Sequence, residues 1–424
     1  MTTTNARAAL LRNPNFRWLI GGGVLSMLGD QFTLIALPWL VLRLTDDPAA
    51  LGVVLALMGV PRAVFILVGG ALVDRYSPKS VALLSKVVSA GLLGLLAALT
   101  LSGHPQLWQV NLLALGIGLA QAFGIPSATS LMPQAVERTH LQASNGMMMS
   151  LRQLSMLAGP LLAALLIALA GGSASEGTSL RALGYAFAFD CATFLVSTWT
   201  LMQVRLLADA KREPEGQLLR SIGAGLAMVW RDVPLRSCLM YWGVVSFLIG
   251  GATQVALPVL ARDHMQGASA FGVLMAAHGA GALAGMIASS VFGKRSMGRF
   301  GLLVLGVDAV AGMLLAPLGM VESLWQGVLL LALIGALGGF IQVAVFTWLQ
   351  GRVPPQMMGR AMSIFMFILM GLAPLSAACT GYLLRYVSLP ELFGASGVVL
   401  ILLAAAAWLM TPIGQIGTES RNPA

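Results

Sequence analysis

The chain has 424 residues, of which 58% are hydrophobic and only 10% are charged, and its mean hydropathy is +0.85. A soluble domain has about 25% charged residues, so the composition excludes a water-soluble globular protein and indicates that the solvent is a bilayer. The net charge of +9 does not indicate nucleic-acid binding, because the Lys and Arg residues lie mostly at the ends of apolar segments and form no basic patch.

Apolar segments of about 20 to 25 residues follow one another along the chain, and each could cross a hydrocarbon layer of ~30 Å. The sequence predicts twelve spans, near 17–43, 50–73, 80–102, 107–132, 143–170, 182–204, 236–261, 269–292, 300–320, 325–350, 358–384 and 391–412.

The basic residues favour one orientation of these spans. Most of them fall in the segments on the side of the N-terminus, including Arg75 and Lys79, the segment 205–236 and the segment 294–299. By the positive-inside rule, both termini are predicted to be cytoplasmic. We expect a multi-pass protein of a bacterial-type inner (plasma) membrane.

The longest polar interruption lies between the sixth and seventh spans. It predicts an N-terminal six-helix bundle over 1–204, a cytoplasmic linker over 205–231 and a C-terminal six-helix bundle over 232–424. Within the linker, residues 217–230 have an apolar face and predict a helix lying in the membrane interface.

An internal repeat supports this division. ALPWLV at 36–41 aligns with ALPVLA at 256–261 when the numbering is shifted by 256 − 36 = 220, and the same shift aligns Gly52 with Gly272. The predicted fold is therefore an all-α integral membrane protein, with twelve transmembrane helices in two pseudo-symmetric six-helix bundles. Such halves are typical of alternating-access transporters.

The loop after the second span reads GGALVDRYSPKS. It resembles the loop signature of the major facilitator superfamily, carried here by Gly70, Asp74, Arg75 and Lys79. The resemblance implies a cytoplasmic gate, in which the acid pairs with a base or caps a helix. The family pattern has Gly and Arg where this chain has Ser and Pro, and the repeat copy has Lys294 in place of the acid. A charged turn that only marks the inner side is the alternative.

The fifth span contains GMMMSLRQLSMLAGP, with small residues or proline at Gly146, Ser155, Gly159 and Pro160. This pattern resembles the antiporter signature of the superfamily, with Ser and Ala at some of its Gly positions. Small residues allow close helix packing and proline bends a helix, so the segment could form a pivoting seam. Tight packing without a role in export also accounts for the pattern.

Within the superfamily, LGDQFTLIALPWLV, ASNGMMMSLRQLSMLAGP and AFAFDCATFLVS resemble the branch of macrolide efflux proteins and the enterobactin exporter. The resemblance implies a secondary active exporter. Many proton-coupled members carry an Arg in the fourth span, whereas the fourth span here has no charge. Proton coupling would therefore need other residues.

Charges within the spans are costly, about 2.5 kcal/mol or more at mid-bilayer, and are candidates for function. Asp30 and Arg62 lie at similar predicted depths on neighbouring spans, and the repeat has Gly250 and Ala282 in their places. We hypothesise that they form an ion pair or compete for a common proton or ligand. Lys86 is omitted from the candidate set because its side chain could reach the inner interface.

Arg152 and Asp190 form a possible second pair, or a network with the first, although both could simply fix helix packing. In the C-terminal half, Asp308 and His278 are weaker candidates, and a lone membrane His is more often a packing residue. Methionines in the fifth and eleventh spans provide soft surfaces that suit varied apolar ligands, but methionine is also an ordinary lipid-facing residue.

The predicted function is a proton-coupled exporter of amphipathic or hydrophobic small molecules, such as drugs or a siderophore, with Asp30 as the protonation site. A lysophospholipid or other lipid transporter of the same superfamily is the alternative. The sequence has no nucleotide loop or HExxH motif, so no enzyme is predicted. Three scattered cysteines predict no metal or disulfide. The predicted partners are substrate, protons and the bilayer, with no cofactor and a monomeric state.

Overall fold

The computed structural model describes residues 10–171, 179–206, 218–265, 267–296, 299–354 and 357–417. For 66–75, 138, 218–222, 224, 225, 292–296, 359, 360 and 363 within these ranges, it describes the backbone alone. The described residues form helices joined by short turns, with no strand among them. Twelve helical segments are long and apolar enough to cross a membrane, which confirms the predicted number of spans.

The N-terminal spans are six continuous helices. They are α1 (Pro14–Thr45), α2 (Pro48–Arg75), α3 (Pro78–Leu101), α4 (Leu107–Ala135), α5 (Leu141–Gly171) and α6 (Leu180–Gln203).

Prolines open α1, α2 and α3. A proline at the start of a helix loses nothing by lacking an N–H, because the N–H groups of the first turn have no intrahelical partner. The Asn13 side chain caps α1 by accepting a hydrogen bond of 2.9 Å from the Asn15 backbone N–H.

A further helix, α7 (Leu218–Arg231), lies where the sequence predicts one over 217–230. The segment 207–217 of the predicted linker is outside the described residues. The placement of α7 in the membrane interface stays a prediction.

The C-terminal spans are less regular. They are α8 (Val233–Gly251) continuing into α9 (Leu257–Met265), α10 (Ala268–Ser296), α11 (Phe300–Leu315), α12 (Leu324–Arg352), α13 (Met358–Leu383) and α14 (Leu389–Met410). A π-helical turn at Ala252–Ala256 separates α8 from α9, and a 3₁₀ turn at Ala316–Met320 ends the α11 span. The seventh predicted span therefore contains a π-helical turn between two α-helical parts.

Two compact units divide the chain, one of Met1–Gly216 with Gly267–Gly272, the other of Gln217–Gln266 with Val273–Ala424. The second unit has a buried aromatic cluster. Phe300 stacks on Trp348 with 5.1 Å between ring centroids, and Trp242 meets Trp348 edge-on at 6.1 Å. These ring contacts fix α8, α11 and α12 against one another.

Glycines set the closest helix contacts in both units. A Cβ on Gly281 or Gly285 of α10 would overlap backbone atoms of α12, and a Cβ on Gly335 or Gly339 of α12 would overlap backbone atoms of α10. In the first unit, the corresponding helices α2 and α4 make such a contact at Gly118. Close backbone contact of this kind lets helices associate inside a membrane, where the hydrophobic effect does not drive their association.

Candidate functional site

Asp30 and Arg62 lie on the two sides of Gln121, a residue of the fourth span. The Gln121 Nε2 donates a hydrogen bond of 3.2 Å to Asp30 Oδ1, and the Gln121 Oε1 accepts one of 3.1 Å from Arg62 Nη1. The two charges require this orientation of the amide, because a carboxylate only accepts and a guanidinium only donates. The described structure therefore joins Asp30 to Arg62 through a neutral amide instead of a direct ion pair.

Helix packing places Gln121 beside Arg62. A Cβ on Gly118 would overlap the carbonyl oxygen of Met58, so the backbones of α4 and α2 touch at this level. Arg62 follows Met58 by one helical turn, and Gln121 follows Gly118 by three residues. Residues at these spacings share a helix face, so the glycine contact brings the two side chains within hydrogen-bonding distance.

Lys86 belongs to the same site, contrary to its omission from the sequence-based set. Its Nζ donates a hydrogen bond of 3.1 Å to Ser26 Oγ and lies 5.4 Å from the centroid of the Phe194 ring. Ser26 is one turn before Asp30 on α1, and the Asp30 carboxylate is within electrostatic range of both Lys86 and Arg62. A hydroxyl and an aromatic face thus hold the ammonium inside the unit.

Asp190 is buried against α1 and is held by hydroxyl groups. The Thr33 hydroxyl donates to Asp190 Oδ2, and the Thr193 hydroxyl lies 3.3 Å from Asp190 Oδ1. Gly29 makes room for this contact, since a Cβ there would overlap both Asp190 and Thr193. The Arg152 side chain is exposed, and the structure does not bring it to Asp190. The predicted network of Arg152 and Asp190 is not formed in the described residues.

In the loop motif, the structure describes one side chain, that of Lys79. Its Nζ donates hydrogen bonds of 2.9 Å to the Met202 carbonyl and 2.7 Å to the Val204 carbonyl, at the C-terminal end of α6. These carbonyls lack intrahelical partners and carry the negative end of the helix dipole. The side chains of Asp74 and Arg75, and the surroundings of Gly70, lie outside the described part, so their predicted gate stays a prediction.

Lys79→Met is expected to lower the stability of the folded protein by about 1 kcal/mol, because it leaves the end of α6 without its cation. The expected observation is a melting temperature a few degrees lower in detergent. Lys79→Arg is the matched control and should melt close to the wild type. Equal melting of all three proteins would contradict a capping role.

The fifth-span motif packs against α1. A Cβ on Gly159 would overlap the Gln31 side chain, and Ser155 is buried, whereas a Cβ on Gly146 would meet no atom within 4 Å. Pro160 lies inside α5. Gly159 therefore acts within the first unit, against the residue that follows Asp30, and both interpretations of the motif predict such packing.

The C-terminal candidates belong to the second unit. Asp308 is buried, with 8% of its surface exposed, and faces Tyr241. His278 Nδ1 has no hydrogen-bond partner among the described residues. Within the described ranges, no group of three or more His, Cys, Asp or Glu side chains could hold a metal ion.

Sequence reasoning missed two members of the site, Gln121 and Lys86. Gln121 is the one strongly polar side chain in LALGIGLAQAFGIP, and a buried amide needs hydrogen-bond partners on other helices. That requirement was a usable signal. The sequence signal for Lys86 was weaker, because depth along a helix does not show whether a long side chain extends to the interface or turns inward.

Comparison with known proteins identifies related sequences and folds. The family model described as Major Facilitator Superfamily matches residues 19–378. The enterobactin exporter EntS of Salmonella paratyphi A is 27% identical over 364 residues, covering 83% of this chain and 81% of that protein. EntS of Escherichia coli O1:K1 / APEC is 27% identical over 352 residues, covering 83% and 80%.

Solved structures share the fold at lower identity. A bacterial homologue of the human lysosomal transporter Spinster has a TM-score of 0.71 at 16% identity, with 99% of each chain covered. A mutant of the nucleoside transporter NupG has a TM-score of 0.70 at 14% identity, covering 93% of this chain and 99% of that one. These similarities confirm the predicted twelve-span architecture and the multi-pass membrane location.

Proposed function

We propose a function from one established premise: this chain belongs to the Major Facilitator Superfamily. It is a membrane transporter related to enterobactin exporters. Our proposal is that it exports amphipathic or hydrophobic small molecules, a siderophore in particular, in exchange for protons. The observation that carries the coupling part is the connection of Asp30, Gln121 and Arg62 through hydrogen bonds.

The proposed coupling uses the orientation of Gln121. While Asp30 is ionised, its charge holds the amide N–H towards α1 and the amide oxygen towards Arg62. A proton on Asp30 turns a group that only accepts into one that also donates, so Gln121 can turn its oxygen from Arg62 towards Asp30. A substrate that requires the oriented arrangement then binds the ionised site and not the protonated one. This mutual exclusion of proton and substrate is what exchange requires.

Lys86 adds a second cation close to Asp30. An acid flanked by two cations keeps its charge in an apolar unit at lower cost than an isolated acid does. Asp190 does not supply this compensation, because it is a second acid held by threonine hydroxyls. Asp30 is therefore the carboxylate on whose charge Gln121, Arg62 and Lys86 depend.

The proposal is tested by transport in proteoliposomes with an acidic lumen. For one-for-one exchange, a gradient of about one pH unit supports about tenfold accumulation of substrate. We expect enterobactin to accumulate to about that level, and a protonophore to abolish the accumulation. Ethidium in parallel vesicles tests whether unrelated amphipathic cargo is accepted.

Two results would contradict the proposal. Accumulation of enterobactin that is the same with and without the pH gradient would exclude proton exchange. Accumulation of neither compound, in vesicles whose protein is folded by its melting profile, would exclude the proposed substrate class.

A further inference from the structure

An open cavity of about 760 Å³ lies in the second unit, where α7 ends, α8 begins and α12 ends. Met228, Val233 and Met357 provide an apolar lining. The cavity shares no residue with the Asp30 site, which lies entirely in the first unit. Transport as proposed above gives it no role.

The rim of the cavity carries an unbalanced positive charge. Arg352 is neutralised by Asp232, since its Nε and Nη2 donate hydrogen bonds of 2.8 and 2.9 Å to the two carboxylate oxygens. Arg231 also lines the cavity, is exposed, and has no protein partner in the described part of the chain. The nearby Arg236 lies over the Trp230 ring, 5.2 Å from its centroid. The rim therefore suits an anion.

The cavity lies at the boundary between polar and apolar sequence. One adjoining span begins at Val233 and another ends at Arg352. On α7, Leu226 and Trp230 are apolar side chains with 55% and 59% of their surface exposed. An exposed tryptophan beside arginines is typical of a helix at the level of lipid headgroups.

We propose that this cavity binds the headgroup of an anionic glycerophospholipid. The phosphate contacts Arg231 on the rim, and the acyl chains extend over the methionine lining and the exposed face of α7. A basic pocket beside transmembrane helices attracts anionic headgroups, at about 1 kcal/mol for each basic residue near the surface. The inference is independent of the proposed export activity.

The apolar lining is what favours a lipid over a soluble anion. Free phosphate would use Arg231 alone and leave Met228, Val233 and Met357 facing water. A lipid covers them and places its phosphate at the rim. The acid Asp232, although on the rim, is already used by Arg352 and does not cancel the charge of Arg231.

Native mass spectrometry of the full-length protein, released from vesicles of phosphatidylglycerol and phosphatidylethanolamine, tests the proposal. We expect the wild type to retain phosphatidylglycerol and Arg231→Gln to retain about fivefold less. Arg299→Gln is the matched control, because Arg299 is an exposed arginine of the same unit outside the cavity lining. That variant should retain phosphatidylglycerol like the wild type.

A second variant separates lipid binding from folding defects. Asp232→Asn frees Arg352 while keeping a side-chain oxygen to cap α8, so it should increase phosphatidylglycerol retention, an outcome that misfolding does not produce. Equal retention by Arg231→Gln and the wild type would overturn the proposal. The proposal would also be overturned if Arg231→Gln and Arg299→Gln lost phosphatidylglycerol equally, or if the wild type retained phosphatidylethanolamine as well as phosphatidylglycerol. Thermal stabilisation by inorganic phosphate equal to that by phosphatidylglycerol would likewise overturn it.

Discussion

Asp30→Asn is expected to abolish substrate accumulation driven by the pH gradient, from about tenfold to the level seen without a gradient. Asparagine cannot titrate, but its side-chain oxygen can still accept the hydrogen bond from Gln121. Transport down a substrate gradient should therefore continue. Measurements of both kinds of flux in the same proteoliposomes separate loss of coupling from loss of transport.

Asp190→Asn is the control for this prediction. Asp190 is a buried acid of the same unit that threonine hydroxyls hold, and its carboxylate acts on Asp30 by charge repulsion, not through the connection to Arg62. It should retain pH-driven accumulation. If Asp190→Asn loses coupling while Asp30→Asn keeps it, the protonation site has been assigned to the wrong residue. Normal pH-driven transport by an Asp30→Asn, Arg62→Gln double variant would exclude any role for the pair.

Gly118→Ala is expected to destabilise the protein by about 1 to 3 kcal/mol. The added Cβ meets the backbone of Met58, which cannot rotate away as a flexible side chain could. Relief requires α4 to move from α2, and that movement also separates Gln121 from Arg62. The variant should melt at a lower temperature and should lose pH-driven transport.

Gly21→Ala provides a control of opposite sign. Gly21 lies in α1 with no atom within 4 Å of an added Cβ. Alanine is favoured over glycine inside a helix by about 0.5 to 1 kcal/mol, so this variant should melt slightly higher than the wild type. A higher melting temperature for both variants would show that helix propensity, not contact with Met58, decides the effect.

The hydropathy of the chain, and the charged residues, prolines and glycines between apolar segments, were sufficient to predict the spans, because a bilayer requires about 20 apolar residues for each crossing. They also placed Asp30 and Arg62 at similar depth, since rise along a helix is fixed. Which side chain fills the space between two such residues depends on how the helices are rotated about their axes. That rotation is set at Gly118 by a contact with Met58, and no sequence period reports it.

The internal repeat also shows that sequence similarity does not report contacts between helices. ALPWLV lies within the continuous α1, whereas the matching ALPVLA begins at Ala256, the last residue of a π-helical turn. The preceding residues differ, with Gly250 and Gly251 in the second copy. There the Gly251 backbone N–H donates to Ser376 Oγ at 2.8 Å. A hydroxyl on another helix thus provides a partner for backbone that departs from α-helical geometry, which a comparison of two short segments does not predict.

The glycine contacts between α10 and α12 bear on how the two halves diverged. Ala282 is the counterpart of Arg62, and the backbone of α12 at Gly339 lies directly against it. In the first half, Gly118 instead meets Met58, one turn before Arg62, and the Gln121 amide reaches Arg62 beside that contact. An arginine gained at 282 would lie at the contact itself, and the counterpart of Gln121 under the shift of 220 is Ile341, which has no amide. A charge, an amide and a helix contact would all have to change before the second half could copy the site in the first.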